Sequence, residues 1–388
     1  MQNQYFATCP RGLEAPLQNE LAALGAQKIT PVDGGVGFAG DLSLVYRANL
    51  ESRVATRILW RVGSCRYQTE DDIFKAALTL PWPTWFDVSC NIMVKVTAVK
   101  CPLKSLEFIT LRIKDAICDK FREKSGTRPS VDTREPDVRI HAYLTFDECQ
   151  FYVDTSGAAL YQRGFRQASV DAPLRENLAA GILKLTGWQP GSPLLDPMCG
   201  SGTFLIEAAL MALDIAPGLK RSFGFEKLKN FDAKAWDGIK QAAQKRVKPA
   251  SPMPLFGSDL DFRSVRAARQ NLEAAGLSNV VQIQEMNILQ VAAPALAEGV
   301  TGTLLTNPPY GERIGDEDEL GDLYPQLASA LKANFAGWNA FFLTSDLRMP
   351  KMMRLSPSRK TPLFNGPLEC RLFEFRMVAG SNRKEREV

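Results

Sequence analysis

The sequence predicts an α/β protein with two parts, a smaller α+β region followed by a doubly wound, mostly parallel sheet. Two observations lead to this prediction. Up to about residue 155, short strand patterns alternate with amphipathic helix patterns in the proportions of small α+β sandwiches. From residue 193 onward, short apolar runs alternate regularly with helix patterns, which is typical of a parallel sheet covered by helices on both faces.

The elements of the first region follow from strand alternation, helix periodicity and glycine stops. Gly25 ends the first helix pattern, and a Gly-Gly turn precedes the second strand pattern. In chain order we expect strand 5–7, helix 12–24, strand 36–40, helix 41–57, strand 91–99, helix 106–124, strand 138–146 and strand 150–154.

The second region opens with a helix pattern at 178–186, preceded by the proline and acidic residues that helix N-termini prefer. The dipeptide Asn365-Gly366 is a turn signal, and the alternating segment after it predicts a last, antiparallel strand. The expected strands are 194–195, 254–257, 280–283, 302–306, 340–344 and 370–377.

The length of 388 residues suits two main domains of about 100–200 residues each. We place the boundary within Asp154-Thr155-Ser156-Gly157, which gives an N-terminal region at 1–155 and a C-terminal region at 156–388. An insertion at about 216–251, rich in Lys and Phe, lengthens the second region. It predicts a cap over the site or a contact with substrate, and a surface helix without function fits equally well.

Composition excludes several classes of chemistry. The eight cysteines form no C-x-x-C pair, which argues against a zinc ribbon or a disulfide scaffold and predicts reduced thiols. The one histidine, His141, rules out a His-pair metal site, and its strand pattern predicts a solvated sheet face. No segment resembles a membrane span or a leader. We therefore expect a cytoplasmic protein without metal or membrane, whose oligomeric state the sequence does not define.

The net charge of +4 says little about partners, but two basic clusters stand out. Arg53, Arg57 and Arg61 are four residues apart and would share one face of a helix. Lys114 belongs to a second cluster, within the predicted helix 106–124. An RNA-facing surface and two ordinary solvated faces are equally compatible with this pattern.

The strongest local motif is L-L-D-P-M-C-G-S-G-T at 194–203, where a strand passes through a glycine loop into an apolar helix. Such a loop lies at the carboxyl edge of the sheet, where open α/β folds bind ligands. Gly200 and Gly202 would let a ligand approach the backbone, yet the spacing fits neither phosphate-binding glycine pattern. Asp196 would repel a phosphate, so an ammonium group is the better partner.

A second acid, Asp259, ends the next strand, where it can bind both hydroxyls of a ribose or simply cap the following helix. Asn287 follows the third strand, where an amide can contact an adenine edge. Two carboxylates and an amide around a glycine loop fit a nucleoside that carries an amino acid. The sequence therefore predicts S-adenosylmethionine as the cofactor.

D-P-M-C-G-S-G-T at 196–203 and N-P-P-Y at 307–310 together resemble the cofactor and catalytic motifs of Rossmann-like methyltransferases that modify exocyclic or amide nitrogens. Across nearly the whole chain, the sequence is similar to the bacterial 23S ribosomal RNA guanine-N2 methyltransferases with an N-terminal THUMP domain. The segments that carry this similarity include F-A-T-C-P-R-G-L-E, P-D-V-R-I, Y-Q-R-G-F-R, A-P-L-R-E-N-L-A-A and N-G-P-L-E-C.

The resemblance implies a seven-stranded, mostly parallel Rossmann-like catalytic domain preceded by a ferredoxin-like segment and a THUMP domain at about 44–155. The expected partner is 23S ribosomal RNA or its large-subunit precursor. Some members continue into a second methyltransferase domain; this chain ends before one, so we expect the guanine-N2 activity alone.

The same resemblance assigns the catalytic roles to the N-P-P-Y motif. The Asn307 side-chain oxygen and the Pro308 carbonyl would accept the two N–H bonds of the target amine, on a backbone that Pro309 stiffens. Tyr310 would stack on the extruded base. Such an amine is not strongly basic, so no powerful general base is required.

Further contacts are implied residue by residue. Asn307 would also touch the cofactor, and Asn287 stands where many relatives carry an acid. The other residues expected to contact the cofactor are Pro173, Pro197, Thr203, Leu260 and Ile288, and the expected RNA contacts are Arg53, Arg57, Arg61, Lys114, Arg163 and Arg166.

Two alternatives remain open on sequence alone. N-P-P-Y does not name the base, so a transfer-RNA guanine-N2 methyltransferase or an adenine-N6 enzyme also fits. A non-catalytic RNA-binding factor for ribosome assembly is the alternative from another class, although the intact cofactor and catalytic motifs argue against it.

Overall fold

A computed structural model describes residues 3–168, 174–308 and 317–378 of the chain. The chain forms two compact units. The first unit comprises residues 1–9, 17–162 and 217–245, and the second comprises residues 10–16, 163–216 and 246–388.

The N-terminal part of the chain holds seven strands in one sheet, in the order β2-β3-β1-β4-β7-β6-β5. The strands are β1 (Asn3–Thr8), β2 (Gln27–Val32), β3 (Gly35–Gly40), β4 (Arg57–Arg66), β5 (Ile92–Ala98), β6 (Val138–Leu144) and β7 (Glu148–Asp154). The helices are α1 (Glu14–Ala23), α2 (Leu42–Glu51), α3 (Glu70–Thr79), α4 (Trp82–Trp85) and α5 (Leu106–Ser125). Neighbouring strands are antiparallel except β5 and β6.

The rest of the chain supplies the second sheet and the remaining helices, of which α8 belongs to the first unit. The strands are β8 (Leu194–Asp196), β9 (Leu255–Asp259), β10 (Gln282–Glu285), β11 (Gly302–Thr306), β12 (Trp338–Thr344), β13 (Arg359–Asn365) and β14 (Leu368–Arg376). The helices are α6 (Glu176–Thr186), α7 (Thr203–Ala212), α8 (Ala233–Lys245), α9 (Phe262–Ala275), α10 (Glu317–Asn334) and α11 (Met349–Met352).

The second sheet has the order β10-β9-β8-β11-β12-β14-β13. The first five strands in this order run parallel, and β14 is antiparallel to both of its neighbours. This confirms the predicted doubly wound, mostly parallel fold with a late antiparallel strand. The direction of chain progression reverses between β8 and β11, and ligands of open α/β sheets bind at such a point, beyond the carboxyl ends of the strands.

Burial explains why the central elements form. All five residues of β11 are buried, as expected for a strand covered on both faces. Helix α7 buries nine of its ten residues, so it is held by apolar packing on all sides rather than by one stripe. Core packing therefore fixes the end of β11 and the start of α7, and both ends lie at the carboxyl edge of the sheet.

The predicted helix 41–57 is wrong in its second half. Helix α2 ends at Glu51, and Arg57 begins strand β4. The segment R-I-L-W-R-V is rich in β-branched and aromatic residues, which favour a strand between paired neighbours. The four-residue spacing of Arg53, Arg57 and Arg61 therefore does not create a helix face.

Besides β4, two strands had no counterpart in the sequence prediction. β2 is mostly exposed and lies at one edge of its sheet, and β13 contains Pro362 at an edge of the other. Edge strands tolerate proline and polar residues because one side of the ladder faces solvent. A strand prediction that depends on apolar residues at alternate positions therefore does not identify these two strands.

The insertion at about 216–251 has a role that neither predicted alternative described. Its residues 217–245 belong to the first unit, where Trp236 and Phe225 pack against Tyr46 of α2 with ring centroids 5.9 and 4.4 Å away. The backbone N–H of Asp232 donates to the Tyr46 hydroxyl at 2.9 Å. The segment thus completes an aromatic core of the first unit.

His141 lies on the predicted face of β6, but it is not solvated. Its side chain is 15 % exposed, with Nε2 3.6 Å from a carboxylate oxygen of Asp154. Burial alone would raise the pKa of Asp154, yet His141 and Arg57 together lower it below its usual value. The contact with the buried Asp154 carboxylate therefore accounts for the low exposure of the His141 side chain.

Candidate cofactor and active site

The glycine loop joins β8 to α7 in a tight turn. The backbone N–H of Gly202 donates to the carbonyl of Cys199 at 2.8 Å, and Gly202 has φ +81°. A Cβ at Gly202 would lie 3.3 Å from the Ala268 side chain, so the position is both strained and crowded for any other residue. Thr203 opens α7 directly after it. The loop leaves backbone rather than side chains at the sheet edge.

Asp196 ends β8 and is the most deeply buried acid of the site, with 2 % exposure. It accepts a hydrogen bond from the Thr306 hydroxyl at 2.8 Å and one from the Met198 backbone N–H at 3.3 Å. Burial raises the pKa of Asp196 to about 7 despite these bonds, and the charge of Asp259 adds to the increase. A cation that enters the site would therefore stabilise the ionised form of the Asp196 carboxyl group.

Asp259 ends β9, the neighbouring strand, and is partly committed to the loop. One carboxylate oxygen accepts the Gly200 backbone N–H at 2.9 Å and the other accepts the N–H of Asp261 at 3.0 Å. Burial raises the pKa of Asp259, which the two backbone bonds partly offset. The alternative of a helix cap is wrong, because Asp261 is the residue that caps α9. Leu260 beside it is 69 % exposed and presents an apolar side chain.

The third strand contributes less than its sequence pattern indicated. Asn287 follows β10, and its side-chain oxygen accepts the Leu289 N–H at 3.0 Å. This bond caps a short 3₁₀ turn over Ile288–Gln290. The Ile288 side chain is buried in the core of the second unit, so only its backbone is available to a ligand.

Asn307 and Pro308 follow β11 directly. The side-chain oxygen of Asn307 is buried and has no hydrogen-bond partner among residues 3–168, 174–308 and 317–378. Buried polar atoms are almost always paired, so an orphaned one at a sheet edge needs an explanation such as a substrate contact. Pro173, Pro309 and Tyr310, which were also assigned to the site, lie outside the described residues.

Two supporting residues were missed by the sequence analysis. The Thr306 hydroxyl bonds Asp196 across neighbouring strands, and its only signal was its place beside N-P-P-Y. The buried Asn271 accepts the N–H groups of Gln167 and Ala168 at 2.9 and 3.0 Å. Its amide nitrogen donates to the Ser201 carbonyl at 3.1 Å, so Asn271 connects the backbone of residues 167–168 to the glycine loop. The sequence signal that could have identified Asn271 was a polar residue at a position of α9 where the helical periodicity predicts an apolar one.

Most of the predicted RNA contacts have intramolecular partners. Arg163 pairs with Glu207 at 3.2 Å, and its side chain is 2 % exposed, so the predicted RNA contact is wrong for this residue. Arg166 pairs with Glu176 at 3.0 Å and reaches the Thr203 hydroxyl at 3.4 Å, beside the glycine loop.

The four predicted contacts of the first unit differ in exposure. Arg53 is buried at 9 % exposure, which contradicts a surface role. Arg57 pairs with the buried Asp154, and Lys114 lies 2.7 Å from the Asp115 carboxylate. Arg61 bonds Glu148 at 3.1 Å and keeps a part-exposed side chain. Of these, Arg57, Arg61 and Lys114 retain some accessible surface.

The described ranges lack two kinds of feature. No helix there is long and apolar enough to cross a membrane. Within the same ranges, no group of three or more His, Cys, Asp and Glu side chains is arranged to hold a metal ion.

Family profiles match three successive parts of the chain. A profile described as an RlmL ferredoxin-like domain matches residues 4–59, and a THUMP domain profile matches residues 67–154. A profile described as an RMKL-like methyltransferase domain matches residues 163–374, which is more than half of the chain.

Individual proteins resemble the chain over almost all of its length. The ribosomal RNA large subunit methyltransferase K/L of Aeromonas salmonicida is 37 % identical over 99 % of this chain and 56 % of its own length. A protein of Synechocystis sp., named "Putative RNA methyltransferase", is 38 % identical over 96 % of each chain. The crystal structure of SMU.472 in complex with SAH superposes with a TM-score of 0.87 at 31 % identity, covering 98 % of this chain and 99 % of that one. The chain thus spans little more than half of the Aeromonas relative.

Proposed function

From the premise that this chain belongs to the RMKL-like methyltransferase family, with RlmL ferredoxin-like and THUMP domains before the catalytic domain, we propose that it methylates ribosomal RNA. The methyl donor is S-adenosylmethionine, and the target is the exocyclic N2 amine of a guanosine in 23S ribosomal RNA or its large-subunit precursor. The catalytic domain is the region 156–388 apart from residues 217–245, which belong to the first unit, and the RNA-binding region is 1–155.

The observation that carries the proposal is the environment of Asn307. Its buried side-chain oxygen lacks a partner within the described residues, and the preceding Thr306 hydroxyl bonds Asp196 at 2.8 Å. One strand end therefore connects an acid suited to an ammonium group with an acceptor suited to an amine. This arrangement fits a site in which donor and acceptor meet at the switch between β8 and β11.

The residues around the glycine loop fit the amino-acid, ribose and purine groups of the methyl donor in turn. Asp196 is buried and short of positive charge, which suits the ammonium of an amino acid. Asp259 can accept the hydroxyls of a ribose while it continues to hold Gly200, because a carboxylate has about four acceptor sites. The exposed Leu260 side chain offers an apolar surface for a purine ring.

S-adenosylmethionine supplies an activated methyl group on a sulfonium, so the chain has only to position the acceptor. The Asn307 oxygen and the Pro308 carbonyl accept the two N–H bonds of the guanine amine and hold its nitrogen toward the methyl group. Both oxygens also stabilise the positive charge that develops on that nitrogen. Tyr310 stacks on the extruded guanine, and Pro309 stiffens the loop. The proton leaves after methyl transfer, which is why no strong base is needed.

The RNA-binding region brings the substrate to this site. Arg57, Arg61 and Lys114 contact RNA phosphates there, and the cellular location is the cytoplasm. Structured RNA is the expected ligand because such regions recognise shape and phosphates more than sequence.

The experiment that tests the proposal is deletion of the gene, followed by mass-spectrometric mapping of modified nucleosides in ribosomal and transfer RNA. The expected result is the loss of one N2-methylguanosine from the large-subunit RNA, restored when the intact chain is expressed again. Loss confined to transfer RNA, or an unchanged set of modifications, would contradict it.

The catalytic assignment is tested separately with Asn307→Ala. Loss of one preorganised acceptor should reduce single-turnover methylation by about 100- to 1,000-fold. Binding of S-adenosylhomocysteine, followed by calorimetry, should weaken far less than turnover, because Asp196 and the glycine loop remain intact. Near wild-type turnover with intact cofactor binding would remove Asn307 from the mechanism.

A further inference from the structure

The sheet of the first unit has one face covered by apolar packing and one face without it. Along β7, Cys149, Phe151 and Val153 are buried on one face, whereas Glu148 and Gln150 on the other face are only partly covered. On β6, Ile140 and Ala142 are buried, and Tyr143 is 36 % exposed on the other face. This alternation leaves a more open face that crosses from the ferredoxin-like segment to the THUMP domain through the pairing of β4 with β7.

A groove of about 900 Å³ lies on this open face. Its walls include residues of β1, β2, β3, β4, β5, β6 and β7, so it spans the whole sheet. Protein pockets for small ligands have volumes of roughly 300–1,000 Å³, which places this groove at the upper end. It has room for a chain of linked groups rather than for one small molecule.

The charge of the groove favours an anionic occupant. The cationic side chains that line it are Lys28, Arg57, Arg61 and Lys95, and Asp33 is the one acid among the described lining residues. Arg57 and Arg61 are paired with Asp154 and Glu148, so the positive charge left for a ligand comes from the two lysines. No ion pair is seen for Lys28 or Lys95 within the part of the chain that the structure describes. Lys95 is exposed and faces its strand neighbour His141. Unneutralised lysines along a groove are typical of a surface that contacts successive phosphates.

Aromatic rings interrupt the charges. The rings of Phe6 and Tyr152 lie 6.4 Å apart at the centre of the groove, on strands β1 and β7. Tyr143 adds an exposed ring on β6, opposite Thr97 of β5. Phe6 and Tyr143 are the more accessible rings, because Tyr152 is only 6 % exposed. Rings and cations side by side on an open sheet allow bases to stack while the lysines hold the backbone.

We infer that this groove binds an unpaired segment of RNA, with its phosphates at Lys28 and Lys95 and its bases against Phe6 and Tyr143. The inference rests on the proposed function in taking RNA as the substrate, and it adds the site and the strandedness of the ligand. A duplex is the poorer fit, because paired bases hide the faces that rings recessed in a groove must contact. The groove therefore selects a loop or single-stranded segment of the RNA.

The test uses the full chain and fluorescence anisotropy with a labelled single-stranded decaribonucleotide and a hairpin duplex of matched length. Tyr143→Ala should weaken binding of the single strand by roughly 5- to 150-fold, the range for one lost base stack. Lys28→Ala and Lys95→Ala should each reduce the slope of log affinity against log salt by about 0.7, as expected for one phosphate of a single strand.

Matched controls come from the same unit outside the groove. Phe146 is 69 % exposed in the turn between β6 and β7, and Lys124 is exposed near the end of α5. Phe146→Ala and Lys124→Ala should leave both the affinity and the salt slope unchanged. Circular dichroism and the melting temperature verify that each variant is folded.

In the binding assay, either of two outcomes would overturn the inference: equal losses in Tyr143→Ala and Phe146→Ala, or wild-type binding that prefers the duplex. Failure of the proposed function would look different. If the wild-type chain binds the single strand through Tyr143 and Lys95 but methylates no ribosomal RNA, the groove assignment stands and the proposed reaction is wrong. If it methylates 23S RNA normally after Tyr143→Ala and Lys95→Ala, with unchanged single-strand binding, the groove assignment is wrong.

Discussion

Asp196 makes cofactor binding depend on pH in a way that the structure allows us to calculate. Its pKa is about 7 in the unliganded site, and only the carboxylate form can pair with the ammonium of the cofactor. Binding must therefore release the proton, which weakens the apparent affinity by a factor of about 1 + 10^(pKa − pH). The factor is about 11 at pH 6, about 2 at pH 7 and about 1.1 at pH 8. Affinity should thus rise about tenfold from pH 6 to pH 8.

Titration calorimetry with S-adenosylhomocysteine at pH 6, 7 and 8 measures this directly, since that product carries the same amino-acid group. Two buffers with different ionisation enthalpies count the protons, of which about half a proton per site should be released at pH 7. Asp196→Asn cannot release this proton, so its weaker binding should not vary with pH over the same range. A wild-type Kd that stays constant within twofold from pH 6 to 8 would refute the reasoning, as would an equal pH dependence in the variant.

Three further predictions concern the Thr306–Asp196 hydrogen bond, the Arg163–Glu207 ion pair and the aromatic core of the first unit. Thr306→Val removes the hydroxyl that stabilises the Asp196 carboxylate, so the pH at which affinity is half-maximal should move upward in the same calorimetric series; an unchanged profile would show that this bond has no influence. Arg163→Ala leaves Glu207 buried without its cation and should lower the free energy of unfolding by about 3–5 kcal/mol in urea titrations, whereas Arg163→Met with Glu207→Leu should recover most of the loss. Trp236→Ala empties part of an aromatic core and should cost about 3–5 kcal/mol by the same method; a loss below 1 kcal/mol would contradict its packing role.

The strand-end chemistry of the second unit could be predicted from the sequence because it is local. Asp196, Asp259 and Asn307 each end or follow a buried run, and parallel strands bring their carboxyl ends to one edge. The bond between Thr306 and Asp196 could not be predicted, since it joins residues 110 positions apart. Only the strand order, which places β8 beside β11, creates that contact.

The first unit was harder to predict for a related reason. Arg53, Arg57 and Arg61 have a helical spacing, but pairing of β4 with β1 and β7 prevails over that local pattern. The insertion packs on Tyr46 through a bond that spans 186 positions, so its composition could not reveal where it belongs. In both cases, contacts between distant residues decided the outcome, and a periodic pattern does not encode them.

The central claim is that this chain methylates the N2 amine of a guanosine in 23S ribosomal RNA through the acceptor groups of the loop after β11. Purified protein would be incubated with S-adenosylmethionine carrying a deuterated methyl group and with 23S RNA or transfer RNA from cells that lack the gene. Mass spectrometry of the nucleosides should then find deuterated N2-methylguanosine in the 23S RNA with the wild-type chain, and an initial rate about 100- to 1,000-fold lower with Asn307→Ala. Label in a different nucleoside, or only in transfer RNA, would contradict the claim.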